Sequence, residues 1–190
     1  MAASIARRPR SCAPPDRLVP ASLLSAWHDF FALIGTAAAT LIGAMFVVVS
    51  IGIGFLTRDR ALAIRTFLTP TVTHLSTVVF GCALVMVPEL GWVWLAAAAG
   101  LGGVAGIAYS GLVVAGFRQH EGTVKSDWLW YAILPLIAYA GLLVVAAMAW
   151  RGSAASLDLL AAVLAFLMLA GIRNAWDMIV FLVTQARGPG

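Results

Sequence analysis

Charge is scarce in this sequence. Of its 190 residues, 11% are Asp, Glu, Lys or Arg, where an ordinary soluble domain carries roughly 25%. That deficit, with 62% hydrophobic residues and a mean hydropathy of +0.98, excludes a water-solvated globule and leaves the bilayer as the solvent. Cysteine is scarce too. Cys12 and Cys82 stand far apart and match neither a disulfide framework, a redox pair nor a metal-ligand spacing. Also missing are a nucleophile elbow, paired metal-binding histidines, a phosphate loop and an intramembrane serine with a base on another span, so no enzyme, metal or cofactor is expected. Haem ligation would need a second histidine at the depth of His74, but His28 lies at a segment end and His120 in a loop. The formal charge of +4 does not point to nucleic acid, because the twelve basic residues are scattered among segment ends and the N-terminal tail.

What is present is a series of long apolar runs. An apolar helix of about 20 residues crosses the roughly 30 Å hydrocarbon core, and cutting at charges and prolines yields five spans, residues 27–56, 64–87, 92–117, 128–150 and 156–184. The expected fold is all-α, a polytopic transmembrane bundle of about five helices, since a backbone in lipid must satisfy its own hydrogen bonds and no alternation suggests a barrel. Trp27, Trp92, Trp94, Trp128, Trp130, Tyr131 and Trp150 fall at proposed ends, where amphipathic rings favour the headgroups. Trp176 is the exception. Residues 1–26 read as a disordered basic tail: the first twenty carry four arginines and four prolines and no apolar core of signal-peptide length. Residues 185–190 form a short C-terminal tail.

Within the spans, three patterns could carry function. Gly102, Gly106 and Ser110 recur every fourth residue, a small-residue face for close helix packing or for a hinge. On the first span His28, Gly35, Thr36, Gly43 and Ser50 share one face, read as its protein side, with most aliphatics turned elsewhere to lipid. On the second, Thr66, Thr69, Thr73, His74 and Thr77 fall within an arc of about 140°. Such hydroxyls either return to carbonyls of their own helix, with Pro70 freeing one of them, or line a wet path with His74 as its ionisable member. In the fifth span, Arg173 and Asp177 are four residues apart and neighbours on one face. They form an interfacial ion pair, a pore-mouth or carboxylate site, or a contact between protomers.

The run WHDFFALIGTAAATLIGAMFVVVSIG, residues 27–52, with the arginine before a threonine-rich second helix and the later GIRNAWD, resembles small bacterial inner-membrane proteins. Some relatives with a similar first helix are labelled modulators of the FtsH membrane protease. The resemblance implies regulation rather than catalysis and carries over no functional residue.

The expected function is a homo-oligomeric ion channel or small-solute pore, because an adaptor surface does not need an aligned threonine and histidine stripe facing away from lipid; the alternative is a non-enzymatic adaptor that binds and regulates another membrane protein, such as a quality-control protease. Both place the chain in the bacterial cytoplasmic membrane with the lipid bilayer as first partner. Basic residues nearly tie between the two sides: Arg58, Arg60, Arg65, Arg118, Lys125 and Arg187 against Arg7, Arg8, Arg10, Arg17 and Arg151. Discounting the tail residues furthest from the first helix puts the N-terminus outside. In a Cys12→Ser background, a membrane-impermeant thiol reagent should therefore label Ser153→Cys in intact cells and Lys125→Cys only after permeabilisation; the reverse pattern would invert the topology.

Overall fold

The computed structural model describes residues 18–52, 58–117 and 133–186, and the side-chain surroundings of these except residues 51, 52, 58–68, 114–117, 178 and 181–186. Five helices account for nearly all of them: α1 (Ala21–Gly52), α2 (Arg58–Val85), α3 (Trp92–Phe117), α4 (Leu134–Trp150) and α5 (Ala155–Ala186). The expected all-helical bundle is the fold. α1, α3 and α5 are long and apolar enough to cross a membrane. Shorter apolar stretches run Thr69–Val85 in α2 and Leu134–Trp150, the whole of α4. The outer surface carries Leu33, Phe80, Leu101, Leu112, Ile137 and Leu169, each more than half exposed. A surface so apolar on every side is that of a membrane protein.

Local chemistry sets the helix ends. The Pro20 carbonyl accepts the N–H groups of Leu23 and Leu24 at 3.0 and 3.1 Å, so α1 starts at Ala21, ahead of the Trp27 boundary expected from hydropathy. Pro135 sits in the first turn of α4, where its missing N–H has no helical partner to lose. Gly152, at φ 67, ends α4: the Ser153 N–H reaches back to the Met148 carbonyl at 3.1 Å, a left-handed cap that reverses the chain within a few residues. Asp158 in the first turn of α5 then meets the positive end of that helix.

α5 is the central helix. It packs on α2 and α4 and more lightly on α1; α1 leans on α2 at one edge, and α3 leans on α4 at the other. The α2/α5 and α3/α4 pairs run antiparallel. A methyl group on Gly35 would stand 2.9 Å from Cβ of Cys82, one on Gly81 2.8 Å from Leu164, and one on Gly171 2.9 Å from Leu75. The α3/α4 pair is the closest: a methyl on Gly103 would stand 2.6 Å from Leu143, and one on Gly106 would collide with the ring of Tyr139. The turn between α2 and α3 is joined to the start of α1 by the Val19 N–H, which donates to the Leu90 carbonyl at 2.8 Å.

Within the protomer the two faces of α1 are used the other way round from the expected one. α1 buries Phe31, Ala38 and Met45 against the bundle, with Trp27 and Phe30 packed beside Phe31. Its small, polar face is outside: Thr36, Thr40, Gly43 and Ser50 are all exposed, and only Gly35 at the edge of that face meets α2. The bulky side chains fill the uneven groove of the bundle better than the small ones, and in lipid nothing forces the polar face inward so long as hydroxyls bond their own helix.

Gly102 and Gly106 separate two meanings of the small-residue face. A methyl group added to Gly102 would meet Leu142 at an ordinary 3.6 Å, whereas Gly106 has no space for one at all. Gly106→Ala should lower the thermal midpoint in detergent by about 5 °C or more, the cost of overpacking a tight contact, while Gly102→Ala should change it by about 1 °C or less.

Candidate functional site

The threonine stripe of α2 resolves into two kinds of side chain. Thr73 Oγ1 donates to the Thr69 carbonyl at 2.8 Å, and Thr77 Oγ1 to the Thr73 carbonyl at 2.9 Å. These hydroxyls are satisfied by their own helix, one of the two readings the stripe allowed. Thr69 is exposed, and the side chain of Thr66 lies outside the described residues. His74 is different. It is buried at 1% exposure, and its Nδ1 is 2.8 Å from the Tyr139 hydroxyl of α4. Counting from Val85 at about 1.5 Å per residue, the pair lies about 17 Å deep, near the middle of a hydrocarbon core of about 30 Å.

Tyr139 organises this centre. Its ring occupies the notch that Gly106 leaves on α3, and its hydroxyl crosses to α2, where Thr77 Oγ1 is a second neighbour at 3.5 Å. The Tyr109 phenol of α3 is near enough to interact with both Thr73 and Tyr139. His74 thus faces α4 rather than α1 or an open channel, and its Nε2 has no partner among the described residues. Ser110, one turn beyond Gly106, is buried with its hydroxyl unpaired, and in α5 both amide atoms of the fully buried Asn174 lack a partner among the described residues. Because Gly171 faces Leu75, Asn174 stands one turn further, at the level of the buried Thr71.

Neither Tyr139 nor Asn174 was singled out by the sequence. A tyrosine in the middle of a span, away from either headgroup level, was the available signal, and Asn174 stood inside GIRNAWD between the two charges that drew notice. Arg173 and Asp177 do pair, Nη1 to Oδ1 at 2.7 Å, with side chains 41% and 30% exposed. His28 and Asp29 meet at 3.2 Å on the exposed start of α1. Among the described residues no three His, Cys, Asp or Glu side chains gather where a metal could bind.

The main void lies beside this centre. α2 and α3 are consecutive, yet α2 leans on α5 and α3 on α4, so between them opens a cleft of about 530 Å³. Its α2 wall is Val72, Thr73, Ser76, Thr77, Phe80 and Leu84; its α3 wall is Leu95, Ala98, Ala99 and Gly102; Leu142, Leu160 and Leu164 form the floor. His74 and Tyr139 stand behind that wall, so the cleft is predominantly apolar.

No family model, curated protein or solved structure matches this chain. What the polar centre can do chemically follows from its own geometry: a buried imidazole and a buried phenol hold three helices together across the middle of the bundle. If that bond carries the α2/α4 contact, a double-mutant cycle with His74→Phe and Tyr139→Phe should return a coupling between about 0.6 and 1.7 kcal/mol, the mean and the maximum for hydrogen bonds between membrane helices. A coupling near zero would assign the imidazole to some other partner.

Proposed function

We propose that this chain is a non-catalytic adaptor of the bacterial cytoplasmic membrane, which docks on another membrane protein through the open face of α1. The carrying observation is a seam. Leu33, Thr36, Thr40, Gly43, Val47 and Ser50 are all exposed and alternate by three and four residues, the spacing that keeps one helix face against a partner helix. The seam is made mostly of small side chains that let backbones approach. Thr40 and Ser50 have turned their hydroxyls to the carbonyls of Thr36 and Phe46, each at 2.8 Å, so docking there costs little desolvation. Among the described residues no other helix comes within 4 Å of where a Gly43 side chain would begin. The resemblance of the same helix to modulators of the FtsH protease makes a membrane quality-control protease the partner to test.

A second reading, a homo-oligomeric pore, is favoured by the same seam, since hydroxyls at Thr36, Thr40 and Ser50 would face one another if several copies met along it. Within one protomer His74 is engaged with Tyr139, while Thr73 and Thr77 bond their own helix and line the predominantly apolar α2/α3 cleft.

Photo-crosslinking probes at Thr40 and Gly43 in native membranes separate the two. The adaptor predicts an adduct with the protease from both positions and none from a probe at Leu112, and loss of the Thr40 adduct in a Gly43→Leu protein whose stability changes by less than about 0.5 kcal/mol. Adducts of the chain with itself alone, together with ion or solute flux in liposomes, would replace the adaptor by the pore. Lipid adducts alone would refute both.

A further inference from the structure

The cleft between α2 and α3 has dimensions that select its occupant. From Val72 to Leu84 it is about 18 Å long, close to the depth of one leaflet of a core about 30 Å thick. The cleft, of about 530 Å³, is an open groove with Leu142, Leu160 and Leu164 as its floor, and it accommodates an extended hydrocarbon chain. Thr73 and Thr77 have bonded their hydroxyls to their own helix, and Phe80, Leu142 and Leu164 complete a lining suited to hydrocarbon.

The cleft also has a charged mouth. A second, shallower hollow of about 500 Å³ shares Leu84 and Ala98 with it and continues along α3 to Trp94 and Glu89. Glu89 lies in the turn between α2 and α3 and is exposed, at the level where Trp92 and Trp94 mark the headgroups. Its φ of 55 is a left-handed conformation that glycine adopts without strain, so a carboxylate is held at the mouth at a backbone cost.

We propose that this track binds one phospholipid with an amine headgroup, its ammonium on the Glu89 carboxylate and one acyl chain lying in the α2/α3 cleft. The charge at the mouth selects the headgroup, and the apolar lining of the cleft takes the chain. The site is independent of what docks on α1.

The test uses the full-length protein reconstituted in vesicles of equal parts phosphatidylethanolamine and phosphatidylglycerol with identical chains, then extracted in mild detergent and weighed by native mass spectrometry. The wild type should retain one lipid, with phosphatidylethanolamine enriched about threefold or more over the vesicle ratio. Glu89→Gln, in an exposed turn, should keep the bound lipid and lose the enrichment; Ala98→Phe, which fills the cleft, should lose the lipid. No retained lipid in the wild type, equal retention of the two headgroups, or undiminished enrichment in Glu89→Gln would each overturn the proposal. So would a bound second copy of the chain, or any peptide, in place of lipid.

Discussion

The bundle depends on one side chain that belongs to two interfaces at once. Tyr139 is clamped by its ring against Gly106 of α3 and by its hydroxyl to His74 of α2. Helices α1 and α2 form one edge of the molecule, α3 and α4 the other, and α5 runs between them. Apart from α5, little joins the two edges, and the most specific link is the phenol. In hydrocarbon this hydrogen bond contributes on the order of 1 kcal/mol net, because separated helices find other partners for the same groups. The polar atoms thus fix which faces of α2, α3 and α4 meet, while the apolar side chains around them supply the packing.

This arrangement explains why polarity inside the bundle is not a path through it. Thr73, Thr77, His74, Tyr109 and Tyr139 together would make a respectable lining for a wet pore, yet each is turned to a neighbour or to its own helix. The space left over is apolar and opens sideways to lipid between α2 and α3. The exposed hydroxyl residues Thr36, Thr40 and Ser50 of α1 lie in a seam regular enough to receive another helix.

Hydropathy alone reads the number and order of the helices, because the cost of burying charge in lipid is large and local. The Trp92 and Phe117 limits of α3 follow directly from the charged or proline-bearing turns on either side. The start of α1 does not, since it depends on Pro20 offering a carbonyl to Leu23 and Leu24 and not on where the apolar run begins. The helical wheel showed that α2 has a polar face but could not name Tyr139 as its partner, which lies two helices further along the chain. For α1 the helical wheel gives the two faces but not which of them packs inside the protomer. In water the more polar face goes outward for a strong reason; in lipid both faces are tolerated outside, and shape decides.

The hydrogen bond from Val19 to Leu90 bears on how the molecule is assembled. The start of α1 is tied to the turn that joins α2 and α3, so its entry into the bundle completes only once both of those helices are in place. A change in that turn is therefore felt at the start of α1, far away in sequence.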